Sequence, residues 1–331
     1  MTSNTPTPAT EDSFYSLPSN EKPMAESKVS TQPVKGMRDV IGNNARVKRL
    51  VENTISEYAA RYGFEPMQVP VLENLENLTL KGGGGEEAAK ELFTLEDLSK
   101  RKLGMRFEFT TSLARVVAGN PNIPKPIRAF NMGTVYRYDN PQAMRYREFT
   151  QADCDIVGSE SAYADAELAC YVIDVMNALG FDDFSIRVND RRIINELLSL
   201  AGIPVEKGKD AMRILDKLDK VGKEEVKKEL QEKKIPITIL TYLNWDLKQL
   251  RKEFEKEKLS LVGIEALEAF FELLADQKKS QWVKFDPSLV RGLDYYTGIV
   301  YEVNGGGANV SVGGGGRYDD LVRAFGGERM P

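Results

Sequence analysis

Chemistry is densest between Val135 and Asp155, where Arg137, Arg145, Arg147, Gln151, Asp153 and Asp155 fall within one short stretch. Guanidinium groups stay charged and make paired hydrogen bonds to carboxylates and phosphates. The run reads as strand, polar turn, strand, with Asp139-Asn140-Pro141 ending the first strand. Side chains alternate across a strand. Phe149, Gln151, Asp153, Asp155 and Val157 therefore share one face, and Thr150, Ala152, Cys154 and Ile156 the other. One face is small and apolar; the other presents an amide and two carboxylates. Arg145 and Arg147 join the polar face if the strand extends that far. An ordinary hairpin with one wet face gives the same alternation, so the rest of the chain must decide.

The 331 residues contain no histidine. That excludes imidazole acid–base catalysis, Ser-His-Asp and Cys-His nucleophiles, and zinc sites that need imidazole. Arg, Asp, Glu, Tyr and Thr remain, which favours catalysis by positioning and charge stabilisation. Cys154 and Cys170 form no zinc spacing and suit a reduced, cytoplasmic setting. A net charge of −5 gives no bulk electrostatic case for nucleic-acid binding. No apolar run is long enough to cross a membrane, and no secretory signal is visible.

The elements that must position this chemistry can be read in order. Residues 1–33 are rich in Ser, Thr and Pro and are expected to be disordered. Asn44 to Tyr62 predicts a helix with Val47, Leu50, Val51, Ile55, Tyr58 and Tyr62 on one stripe and Gly63 as its stop. Pro66 and Pro70 confine Phe64 to Leu72 to an edge strand or to pairing with a second copy. Lys81 to Gly85 lacks the end of a phosphate loop and reads as a mobile loop. Glu86 to Phe93 predicts a helix. Arg106 to Thr110 predicts a strand with Arg106, Glu108 and Thr110 on one face, and Ser112 to Ala118 begins a helix. Ser161 to Leu179 is amphipathic and closed by Gly180. Phe184 to Val188 is a strand, and Ile193 to Leu200 a helix. The chain divides into a core over 34–200, a Lys/Glu-rich helical insertion over 201–280, and a return to the core over 281–331. The face of Val221 to Lys234 is a solvated surface or, less simply, an RNA contact. Glycines around 304–316 are hairpin turns or places where backbone approaches a ligand.

Three blocks together carry a resemblance. Arg137-Tyr-Asp139 followed by Arg145-Tyr-Arg-Glu-Phe149 resembles motif 2 of the class II aminoacyl-tRNA synthetases. Arg291-Gly-Leu-Asp-Tyr-Tyr-Thr-Gly298 and Gly314-Gly-Gly-Arg-Tyr-Asp319 resemble the two histidine signatures of the histidyl-tRNA synthetases, and Gly63 to Leu72 the end of motif 1. The resemblance implies an α+β fold, an antiparallel sheet flanked by helices, dimerised around Pro70. It implies activation of histidine by ATP, carried with Mg2+, and transfer to tRNA(His), with no bound organic cofactor, no protein metal site and no membrane. Arg137 and Arg291 become the catalytic cations, and Arg137, Arg145 and Arg147 the ATP contacts. Glu108, Thr110, Gln151, Asp155, Arg291, Tyr295, Tyr296 and Tyr318 become the histidine pocket.

Three departures accompany it. Met144 stands where glycine is usual, which touches the fit of the motif 2 loop. Motif 3 and the anticodon-binding domain are expected after Gly327 and are not in these residues. On that reading the chain is a catalytic core fragment with impaired ATP turnover. The alternative is a histidine-binding paralogue like the regulatory subunit of ATP phosphoribosyltransferase. A third possibility is an interaction protein that keeps the fold without the chemistry.

Overall fold

The computed structural model describes residues 30–80, 89–140, 145–290, 295–305 and 311–331. The expected tail as far as residue 29, the loop Lys81 to Gly85, Met144 and Arg291 lie outside them. The first elements are α1 (Gly42–Arg61), β1 (Glu65–Pro66), β2 (Leu72–Asn74), α2 (Leu75–Leu78), β3 (Thr94–Glu96), β4 (Lys102–Met105) and α3 (Thr110–Gly119). The hairpin β5 (Ile127–Tyr136) and β6 (Glu148–Val157) follows, then α4 (Ala162–Ala178), β7 (Phe184–Asp190) and α5 (Arg191–Leu200). A helical stretch comprises α6 (Val205–Leu215), α7 (Leu218–Val221), α8 (Lys223–Glu232), α9 (Ile239–Tyr242), α10 (Leu247–Glu257) and α11 (Val262–Asp276). The chain closes with β8 (Val283–Phe285), β9 (Ile299–Gly305), β10 (Ser311–Gly316) and α12 (Leu321–Ala324).

The strands form three sheets, ordered β1-β5-β6, β10-β9-β7-β8 and β2-β4-β3. Pairing is mostly antiparallel, as expected, but β1 with β5 and β8 with β7 run parallel. The hairpin pairs Ile127 with Val157 through Tyr136 with Glu148, without a bulge. Its back face (Phe130, Met132, Ala152, Cys154, Ile156) packs on Ala59 of α1 and on Tyr171 and Val175 of α4. Its front face at Ala129 and Val157 packs on α3, Tyr295, Tyr296 and Val300. A one-residue slip would exchange the two faces, so burial of the back face fixes which side chains look forward.

The helix α4 obeys its sequence signals: Ser161 caps it by accepting from the Tyr163 N–H, and Gly180 ends it with φ +83°. Gly63 does the same for α1 at φ +72°. The helices α6 to α11 share one apolar core with α4, β7 and β9, in which Ile173, Ile186, Phe254 and Phe270 are fully buried. Each such side chain contributes about 2 kcal/mol by leaving water.

Several expectations change. No strand covers Arg106 to Thr110; β4 ends at Met105, and Thr110 starts α3. Of Glu86 to Phe93, Ala89 and Lys90 are helical among the described residues. The Val221 to Lys234 helix is interrupted at Gly222, φ +82°. Gly313 to Gly316 are not a turn but paired positions of β10. The α1 stripe is only half buried: Tyr58 and Tyr62 pack inward, whereas Val47 and Leu50 are 50% and 64% exposed.

Candidate active site

Arg106 shows why its segment is bent instead of extended. Its guanidinium donates to the carbonyls of Val69 (2.6 Å) and Thr134 (2.9 Å) and lies 4.7 Å from the Phe109 ring centre. Those contacts pull the chain off β4 and across β5. Glu108 then turns to cap α3, its carboxylate accepting the N–H groups of Thr110 and Thr111. A carboxylate is favoured there because the helix N-terminus carries unpaired donors and partial positive charge. Glu108 and Thr110 are thus neighbours through a helix cap, not through strand parity.

The front face of β6 supplies the next groups. Arg137 donates from Nε to the Phe107 carbonyl (3.0 Å) and from Nη2 to Gln151 Oε1 (3.0 Å), with its guanidinium 5.2 Å from the Phe149 ring centre. This orients the amide, whose Nε2 donates to both oxygens of Asp153 at 2.8 and 2.7 Å. Two residues on, Asp155 Oδ1 accepts from the Tyr318 hydroxyl at 2.6 Å. Asp155 Oδ2 is buried and has no hydrogen-bond partner among the described residues.

Tyr318 is placed by the residue before it. Arg317 donates to the carbonyls of Ser159 (2.9 Å) and Ser161 (3.2 Å) and pairs with Asp165 at 2.6 Å. The Tyr318 ring meets Tyr295 edge-on at 6.1 Å, and Tyr295 meets Tyr296 at 4.7 Å. Gly316 must lack a side chain, since a Cβ would sit 2.6 Å from the Ile299 carbonyl and 2.8 Å from the Tyr296 ring.

Burial pushes the carboxyls of Glu108, Asp153 and Asp155 above the usual range; Asp155 further raises Asp153, and Glu108 raises both. Tyr295 and Tyr318, also raised by burial, stay protonated as hydrogen-bond donors. The arrangement crowds negative charge and leaves an acceptor open. It is built to receive a group bearing N–H donors and positive charge.

Glu108, Arg137, Gln151, Asp155, Tyr295, Tyr296 and Tyr318 are therefore brought together, with Thr110 at the rim of the group through its backbone. Arg145 and Arg147 lie at the turn end of the hairpin: β6 begins at Glu148, and the pairing runs one residue further, with Arg137 N donating to the Arg147 carbonyl at 2.9 Å. Arg145 pairs with the buried Asp139 at 2.8 Å. Arg147 donates to the Asp139 carbonyl (2.9 Å) and stacks on Tyr138 at 3.9 Å. Both sit at the turn. Glu91 stands beside Asp139 there, its carboxyl raised by burial and by Asp139.

Two residues escape the list of expected ligands. Asp153 had the right parity yet was not counted. Asn131 lies opposite Asp153 in register, is wholly buried, and has neither amide atom paired among the described residues. The signal for it was the hairpin register: opposed residues of an antiparallel pair share a face.

Against known proteins, residues 36–331 match the family model described as histidyl-tRNA synthetase. The histidine–tRNA ligase 1 of Bacillus cereus is 34% identical over 307 residues, 90% of this chain and 70% of that protein. The histidine–tRNA ligase of Pyrobaculum islandicum is 35% identical over 305 residues, 91% and 71% respectively. Among solved structures, a histidyl-tRNA synthetase from Nostoc superposes with a TM-score of 0.79 at 27% identity, covering 92% of this chain and 72% of that one. A Bacillus halodurans protein described as an ATP phosphoribosyltransferase regulatory subunit/histidyl-tRNA synthetase gives 0.78 at 24%, covering 92% and 80%.

Proposed function

Because the chain belongs to the histidyl-tRNA synthetase family, we propose that it joins histidine to tRNA(His), first activating the amino acid with ATP. The observation that carries this reading is the open acceptor on Asp155, among more buried carboxylate than the local cations neutralise. An imidazole N–H completes Asp155 Oδ2, with Tyr318 holding the other oxygen and Tyr295 and Tyr296 forming the wall. The ammonium group of the amino acid donates to the Glu108 carboxylate, the Gln151 amide oxygen and the Thr110 hydroxyl oxygen.

The histidine carboxylate then attacks the α-phosphate, and negative charge grows between two anions. Arg137 stands at the edge of the pocket with its guanidinium fixed by neutral partners, so among the described residues its positive charge is not cancelled by an ion pair. Arg291 is proposed as the second catalytic cation, and Arg145 and Arg147 as contacts to ATP, which arrives with Mg2+ as substrate. No proton shuttle is required.

We also assign a homodimer, supported by the exposed apolar side chains Ile41, Val47 and Leu50 of the α1 region and Val71 and Leu72 beyond it. Light scattering at micromolar concentration would return twice the chain mass; a monomer removes this assignment.

A pyrophosphate–ATP exchange assay tests the function. Exchange is expected with histidine and with no other amino acid. The absence of both exchange and histidine binding would end the reading. Histidine binding without exchange would favour a regulatory paralogue, the first of the two roles named for the Bacillus halodurans structure.

A further inference from the structure

The stretch that carries Arg291, Tyr295 and Tyr296 is held at both ends by one strand. On the entry side, Asp286 N donates to the Val188 carbonyl at 2.9 Å. Asn189, fully buried, uses its entire amide: Nδ2 donates to the carbonyls of Pro287 (3.2 Å) and Leu289 (3.1 Å), and Oδ1 accepts from Asp190 N (2.8 Å). Arg187 pairs with Asp286 at 2.7 Å and donates to Ser288 Oγ at 3.3 Å. Asp286 in turn accepts from Ser288 N and Oγ, at 2.9 and 2.6 Å. On the exit side, Arg191 N donates to the Gly298 carbonyl at 2.9 Å. Three consecutive β7 residues and the first residue of α5 therefore grip both flanks of the segment.

We propose that Arg187 and Asn189 are positioning residues for histidine activation, fixing residues 286–290 and, with Arg191, the flank 295–298, so that Tyr295 and Tyr296 meet the pocket built on β6 and β10. The inference rests on the function proposed above. Neither side chain is hydrogen-bonded to Glu108, Gln151, Asp155 or Tyr318, so neither binds substrate. A plain core asparagine would satisfy itself within its own strand or turn. Asn189 instead spends both donors on alternate carbonyls of a segment far away in sequence. An amide has two donors in a fixed plane, so this fit sets position as well as adding stability. Arg187 is also tied to Asp219 of α7 at 2.5 Å, so the helical stretch bears on the same bracket.

The test is Asn189→Ala, with Arg187→Lys as a milder variant that keeps the buried charge. Hydrogen exchange followed by mass spectrometry is read alongside pyrophosphate exchange. In Asn189→Ala the amides of 286–290 and 295–298 should exchange about tenfold faster, with β6 unchanged. The kcat should fall about 10²-fold, the cost of a misplacement near 1 Å, and Kd for histidine should weaken by a smaller factor, because Tyr295 and Tyr296 are carried by the loosened segment. Arg187→Lys should lie between the two. Unchanged exchange at 286–290 and 295–298 would overturn the bracket, and faster exchange there with an unchanged kcat would overturn its role in positioning. A parent protein without histidine-dependent exchange would instead overturn the proposed function and the catalytic part of this inference, leaving hydrogen exchange to decide on the bracket alone.

Discussion

Two arginines on two sheets stand among buried acids and do opposite things with them. Arg187 on β7 binds its carboxylates directly, reaching Asp219, Asp286 and Glu302 at 2.5–3.1 Å. Although burial raises Asp286, the Ser288 hydrogen bonds and the Arg187 charge bring its carboxyl below the ordinary value. Arg137 on the hairpin gives its guanidinium to a carbonyl and an amide, and the neighbouring acids remain uncompensated and raised. The same residue types give scaffold in one place and, in the other, the open cluster proposed as the binding site. Perturbed acids that still lack a partner mark the functional site; acids satisfied by the fold mark structure.

Breaking the open site should cost function and little stability. Asp155→Ala should lower kcat/KM for histidine about 10²–10³-fold or more, since a pocket built around a ring N–H loses its discriminating acceptor. Its denaturation midpoint should not fall, because a buried, strained carboxyl has gone. Breaking the satisfied cluster should do the reverse in stability. Arg187→Ala removes the cation from the part-buried Asp286 and Glu302 and should cost about 3 kcal/mol by urea unfolding, at the lower end for such a loss because Asp219 is largely exposed.

The two clusters should also separate by pH. The folded chain holds protons on Asp153 and Asp155 that the unfolded chain has released. Stability should therefore fall as pH rises from the ordinary carboxylate range, about 4, through their raised values. Asp286 is depressed, so its contribution is present above the unfolded value and disappears as pH drops through the folded one. Urea midpoints across this range should show Asp153→Asn flattening the loss on the higher-pH side and Asp286→Asn that on the acid side. An Asp153→Asn profile that overlays the parent would contradict the assigned shifts. The smallest effect is expected for Asp219→Ala, under about 1 kcal/mol, as for other exposed ion pairs.

What the sequence revealed follows the same division. The β5–β6 hairpin was legible because alternation and a proline turn are local signals, and the back face has one place to go. Ser161, Gly63 and Gly180 marked helix ends for equally local reasons. Arg106 to Thr110 misled because Arg-Phe-Glu-Phe-Thr alternates like a strand. Its bend is imposed by the carbonyls of Val69 and Thr134, distant in sequence. The polar parity of Arg145 and Arg147 depended on how far the pairing runs, and one backbone bond, from Arg137 N to the Arg147 carbonyl, carries it past the first residue of β6. Asp153 was visible and undervalued, and Asn131 required the register. The brackets from Arg187 and Asn189 are long-range and leave no pattern in the chain.

The central claim is that the raised, partly unpartnered acids of the hairpin wait for histidine. Calorimetric titration of histidine into the parent and into Asp155→Asn tests it most directly. The account predicts saturable binding to the parent, none detectable for phenylalanine, and at least a tenfold weaker Kd for histidine in the variant. Equal histidine affinity in the two proteins would contradict it.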